Sequence, residues 1–305
     1  MNAELATNQV SLPPLPKTSP AVQQIVDKAV KTTLECFADQ KLAPAQLAVT
    51  LVDLAQPGTG SYRGAEQVYP ASVIKLFYLD AVHRWMEDGR IQDGAELRRA
   101  MRDMIVDSYN EATGYIVDLL TDTTSGPELS PEEMATWYHK RNEVNRYFAG
   151  LGFEKINANR KPWCEGPYGR EMQSVKMHAP NHRNWLTTDA TARLLAGIAL
   201  GQAVSPERSA QMLDLLKRDL GTGTGNSQAQ NYTGIALPTG AKLWSKAGWT
   251  SQTRHDAAYV ELPGGVRFVL VTFTVDHADT KDIIATVARV VVEEMSKSGG
   301  LGSSR

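Results

Sequence analysis

The sequence predicts an α+β fold, an α/β sandwich in which an antiparallel sheet is built from both chain termini and an all-helical lobe is inserted between its strands. Three observations predict it. Alternating, β-branched segments cluster near residues 46–68 and again at 241–275. The centre of the chain carries helical periodicity and none of the strand–helix alternation of a parallel sheet. An amphipathic helix opens the ordered chain and another closes it.

In chain order, residues 1–19 with their "SLPPLP" run are expected to be an extended, proline-stiffened arm. Ser19-Pro20 starts a helix reaching about Gln40, since proline is tolerated in the first helical position. "QLAVTLVDL" (46–54) is a strand, Pro57-Gly58 a turn, and a second short strand is expected near 61–68. A helix over 72–88 is closed by Gly89. Further helices are expected near 94–106, 111–120 and 131–149, the last opened by the capping box of Ser130 and Glu133. Residues 153–186 show no period and carry Pro162, Gly166, Pro167, Gly169 and Pro180; an ordered loop of that length is usually functional. Helices near 187–201 and 205–218 follow. "AKLWSKAG", "HDAAYVEL" and "VRFVLVTFTV" are strands, the last two joined through Pro263-Gly264-Gly265, and 280–295 is the closing helix. The expected organisation is therefore an arm at 1–19, one two-lobed domain at 20–297 (sheet lobe 20–70 and 235–297, helical lobe 71–234) and a flexible tail at 298–305.

A net charge of −2 gives no electrostatic case for nucleic acid or an anionic membrane as partner. No apolar run is long enough to span a bilayer. No signal peptide is visible, which at face value means the cytoplasm, or the periplasm or exterior if a leader has been trimmed. Cys36 and Cys164 form no metal-spacing pattern and read as free thiols. A monomer acting on a small molecule, with no metal and no cofactor, is expected.

One residue breaks the pattern. The helix over 72–88 is apolar nearly all round, yet carries Lys75 one turn in. Ser72 lies three residues earlier, on the same helix face. Burial lowers a lysine's pKa, and a neutral amine can deprotonate a neighbouring hydroxyl, while free N–H groups at the helix start can hold an oxyanion. The bland alternative is a helix cap beside a lysine snorkelling to solvent. Two further segments favour the chemical reading. "DSYNEATG" (107–114) sets Ser108 and Asn110 in a turn between helices, and "WSKAGWT" (244–250) sets Lys246 on a strand with Gly248 two places on, where a bare backbone lets a ligand approach.

S-x-x-K, S-x-N and K-x-G in that order, each on a suitable element, resemble the penicillin-recognising serine hydrolases, and class A β-lactamases in particular. "YPASVIKLF", "TSGP" at 124–127 and "TTDATARLL" at 187–195 are similar to class A segments, and the resemblance spans about 20–296. It implies a β-lactamase/transpeptidase-like fold with the site between sheet and lobe. It further implies Ser72 as the acylated nucleophile, Lys75 as base or relay, and Ser108 as proton donor to the leaving nitrogen. Asn110 would bind the substrate's amide side chain, and Lys246 and Arg254 its carboxylate. The N–H groups of Ser72 and Trp249, beside Gly248, would form the oxyanion hole.

The departures are equally specific. Ala247 replaces the usual hydroxyl residue of the third motif, and Tyr109 the usual Asp of the second. The stretch from Ser72 to Ser108 is shorter than in typical members, and 127–147 looks inserted. Where the family carries a Glu that activates the deacylating water, this chain reads "KPWCEGPYGREM": Glu165 is the candidate, Glu171 the reserve, and two solvated loop carboxylates the alternative. His178 and His182 flank Pro180 and are read as loop residues, not metal ligands; "GTGTGNS" (221–227) is read as a flexible connection, and Cys164 as unreactive. Three functions remain open: a β-lactam-opening serine hydrolase, a D,D-peptidase or esterase on peptidoglycan-type peptides or esters, and a penicillin-binding domain that does not turn over.

Overall fold

The computed structural model describes residues 12–163, 166–178, 183–221 and 227–300. The β-branched segments at the two ends of the chain pair with one another. Among the described residues, β1 (Leu47–Asp53), β2 (Gly58–Tyr62), β3 (Lys217–Arg218), β4 (Lys242–Trp249), β5 (Thr253–Glu261) and β6 (Arg267–Val275) form one antiparallel sheet. Its order is β2-β1-β6-β5-β4-β3. N- and C-terminal strands meet at the β1–β6 pair, with Leu47 opposite Thr274 and Asp53 opposite Phe268.

The first helix, α1 (Pro20–Cys36), explains a correction in β2. The strand occupies 58–62, beginning at the expected turn and ending near where the expected strand of 61–68 began. The backbone of α1 lies directly on it: a Cβ on Gly60 would sit 2.7 Å from the Val22 carbonyl oxygen, and one on Gly58 2.6 Å from Ser19 Cβ. The small residues are there because a helix covers them, and no side-chain alternation survives to be read.

The lobe comprises α2 (Lys75–Glu87), α3 (Ala95–Arg102), α4 (Asn110–Thr121), α5 (Pro131–Arg141), α6 (Glu143–Gly150), α7 (Gly169–His178), α8 (Thr188–Ala199), α9 (Pro206–Leu216) and the single turn α10 (Ser227–Gln230). The capping box forms as expected, with Ser130 N–H donating to Glu133 Oε2 at 3.0 Å and Ser130 Oγ accepting from Glu133 N–H at 3.4 Å. The helix expected over 131–149 is two, broken at Asn142, whose side-chain amide donates to the Tyr138 carbonyl at 2.8 Å. The aperiodic 153–186 segment contains α7, too short to announce itself and pinned by Gln173, which donates to the Leu129 carbonyl and accepts from the Leu129 N–H at 2.7 and 2.8 Å. The last helix, α11 (Asp282–Gly300), packs against α1 and stays helical three residues into the segment expected as tail.

Among the described residues two large apolar cores result, beside a small cluster of Tyr232, Ala247 and Ile284. One lies between α1, α11 and the sheet, around Val26, Leu51, Leu270 and Val287. The other joins the opposite sheet face to the lobe, around Phe77, Leu79, Ile116 and Leu195. Among the described residues no helix is long and apolar enough to cross a membrane.

Candidate active site

The chain reaches the site through Pro70 and Ala71, whose φ of 47° turns the backbone sharply. A 3₁₀ turn over Ala71–Ile74 carries Ser72, which is partly exposed, and runs into α2 at Lys75, which is completely buried. Leu76, Phe77, Tyr78 and Leu79 are buried too, so the ammonium finds no water along the helix. The Ser-Tyr-Asn segment supplies three hydrogen-bond acceptors to it. Lys75 Nζ donates to the Ser108 carbonyl (2.7 Å), Ser108 Oγ (3.2 Å) and Asn110 Oδ1 (2.9 Å). That segment is aimed by its backbone: α3 widens into a π-turn over Asp103–Asp107, Ser108 takes a left-handed conformation (φ 61°), and α4 starts at Asn110.

From the sheet side comes Lys246, also fully buried, whose Nζ donates to Ser108 Oγ (3.0 Å), Gln228 Oε1 (3.0 Å) and the Ala247 carbonyl (2.7 Å). The Ser108 hydroxyl thus lies between two ammonium groups. Burial, then the charges of Lys75 and Arg218, hold the Lys246 pKa well below the usual lysine range. Alternation along β4 puts Lys246 and Gly248 on the lobe side and Ala247 on the other face, against Tyr232 and Ile284. Gly248 is required sterically: a Cβ there would lie 2.8 Å from the Ser72 nitrogen and 2.7 Å from the Pro70 carbonyl oxygen. The next residue, Trp249, is 47% exposed and stands opposite Arg254 in the β4–β5 register. Arg254 donates from Nε to the Ala278 carbonyl at 2.7 Å and lies over the Tyr232 ring.

Ser72, Lys75, Ser108, Asn110, Lys246 and Gly248 therefore converge from three distant stretches of sequence. Glu165 and Cys164 lie outside the described residues, as do His182 and most of 221–227. Glu171 is not a solvated loop carboxylate. On α7 it is buried, accepts from Arg141 Nη2 (2.8 Å) and Ser125 Oγ (3.1 Å), and lies 3.6 Å from Lys161 Nζ. Lys161 and Arg141 also reach Asp118, at 2.6 and 3.3 Å. Sequence reasoning missed Gln228 and Arg218, both buried beside Lys246. Arg218 lies at the end of the helix expected over 205–218 but falls on β3, and Gln228 follows a segment read as a flexible connection.

A model of the "Beta-lactamase enzyme family" matches residues 27–295. No curated protein matches. Among solved structures, a β-lactamase from Sphaerobacter thermophilus is 20% identical with a TM-score of 0.66, covering 90% of this chain and 98% of its own. A mutant of PBP-A in acyl-enzyme complex with penicillin G is 20% identical with a TM-score of 0.64, over 93% and 99% of the two chains. A β-lactamase from Chitinophaga pinensis is 19% identical with a TM-score of 0.64, over 87% and 98%. The architecture is the β-lactamase/transpeptidase-like fold. Given a family match over most of its length, the chain belongs to the beta-lactamase enzyme family.

Proposed function

We propose that the protein opens β-lactam rings through an acyl-enzyme on Ser72. The observation that supports this best is the Ser108 hydroxyl shared by Lys75 and Lys246, on the floor of a site whose strand backbone abuts Ser72. Lys75 in its neutral form takes the Ser72 proton as Oγ bonds to the ring carbonyl carbon. The oxyanion is held by the N–H groups of Ser72 and Trp249. When the C–N bond breaks, the proton travels through Ser108 to the departing nitrogen. Lys246 binds the substrate carboxylate, with Arg254 as second cation, and Asn110 binds the amide side chain. Water then cleaves the ester, with Glu165 as base, freeing Ser72.

Intact-mass spectrometry with penicillin G, together with chromogenic cephalosporin turnover, tests this. The wild type is expected to gain and then lose an adduct with product release, and Ser72→Ala to show neither; turnover by Ser72→Ala rejects the reading. A second reading, a penicillin-binding or D,D-peptidase-like protein that acylates and holds the adduct, is supported by Glu171's commitment to Arg141 and by Ala247 in the third motif. An adduct that persists for hours favours it.

A further inference from the structure

Gln228 sits on the one-turn α10 and is 3% exposed. Its Oε1 accepts from Lys246 Nζ (3.0 Å), the Ala247 N–H (3.0 Å) and Arg218 Nη2 (3.4 Å). Its Nε2 donates to the carbonyls of Ile105 (3.3 Å) and Val106 (2.9 Å). Those carbonyls belong to the π-turn that ends at Ser108. A single amide therefore fastens the strand bearing Lys246 to the segment bearing Ser108, and Arg218 adds a second fastening from Nη2 to the Ser245 and Ile105 carbonyls at 2.6 and 3.2 Å. An amide fits both sides: its oxygen meets donors only and its nitrogen meets carbonyls only. A carboxylate would satisfy the first set and repel the second. The amide is also neutral. Among the described residues Lys246 hydrogen-bonds to an amide, a hydroxyl and a carbonyl, so no carboxylate is bonded to its ammonium.

We propose that Gln228 is a positioning residue that fixes Lys246 against Ser108 and, by being uncharged, reserves the Lys246 ammonium for the carboxylate of the substrate. This rests on the proposed acylation of Ser72. The charged groups around Lys246 are Lys75 from α2, Arg218 from β3 and Asp256 from β5, and the sequence of effects follows from adding one more.

Gln228→Glu puts an anion within reach of Lys246 and Arg218. Acylation by penicillin G is expected to weaken at least about tenfold more than acylation by its methyl ester, which presents no carboxylate and feels only the lost fastening to the Ile105 and Val106 carbonyls. The alkaline limb of acylation by penicillin G, set by deprotonation of Lys246, is expected to move to higher pH, because the new carboxylate favours the charged amine. Gln228→Met, which lacks the acceptor, is expected to slow both substrates without raising that limb. Equal losses on acid and ester in Gln228→Glu, or an unmoved limb, overturn the proposal. Side-chain NMR of Lys246 gives a reading independent of activity: its titration must lie at higher pH in Gln228→Glu than in the wild type, and an unchanged titration overturns the proposal. A wild type that penicillin G does not acylate defeats the proposed function, and the NMR titration then still decides the role of Gln228.

Discussion

Two buried lysines in this molecule do opposite things with their surroundings. Lys161, in the helical lobe, bonds to the Asp118 carboxylate at 2.6 Å and lies 3.6 Å from Glu171, which also holds the buried Arg141. Lys246, between sheet and lobe, bonds to three neutral oxygens and feels the positive charge of Lys75 and Arg218 more than the opposing charge of Asp256, which is not bonded to it. Pairing a buried cation with carboxylates yields a rigid joint with little chemistry to offer. Surrounding one with neutral acceptors leaves its charge to be matched by something that arrives. The difference distinguishes a structural cluster from the candidate site more sharply than burial does, since both lysines are buried.

The contrast can be broken at its stronger end first. Glu171→Gln leaves the buried Arg141 and Lys161 to share the Asp118 carboxylate and is expected to cost about 3 kcal/mol in chemical denaturation. Gain and loss of a Ser72 adduct should meanwhile be unchanged at permissive temperature. Intact stability with stalled adduct loss would instead make Glu171 the hydrolytic base.

Lys246→Met is the converse. Removing an ammonium to which no carboxylate is hydrogen-bonded among the described residues is expected to leave stability level or slightly raised, since Asp256 keeps the Arg218 charge. Acylation by penicillin G should fall roughly a hundredfold. A large loss of stability would show that Lys246 belongs with Lys161.

His83 calibrates both, because it is buried with neither ring nitrogen bonded among the described residues. Burial, with the Arg208 charge adding, lowers its pKa from 6.5 to about 4. The unfolded chain therefore takes up the proton first. The stability that a neutral His83 contributes is full above pH 6.5 and is lost as the pH falls toward 4. At pH 5 that loss is about 2 kcal/mol relative to neutral pH, and His83→Leu should remove it from the acid limb of the melting curve. An identical acid limb in the variant would mean the imidazole is charged in the fold.

The sequence disclosed the sheet from both termini, the capping box at Ser130 and the three motifs because each is written in local patterns. Alternation, cap residues and spacing along one helix all act over a few positions. What it hid depends on contacts made across the chain. Gly58 and Gly60 are a strand only because α1 lies on them, and α7 persists because Gln173 and Glu171 bind residues more than forty positions away. Gln228 carries no local mark at all. Its five partners come from three separate stretches of the chain, and a glutamine among small polar residues resembles any surface turn.

The β1–β6 seam has a consequence for how the protein comes into being. A strand begun at residue 47 finds its neighbour only at residue 267 and beyond, so β1 leaves the ribosome with one edge open and waits through the synthesis of the entire lobe. Such distant pairing is slow to nucleate and exposes unpaired edges meanwhile. Because Lys246 arrives on the same late strands, the nascent chain carries Ser72 and Lys75 long before it carries the rest of the candidate site. Assembly of the sheet is thus the event that brings Lys246 and Gly248 up to Ser72.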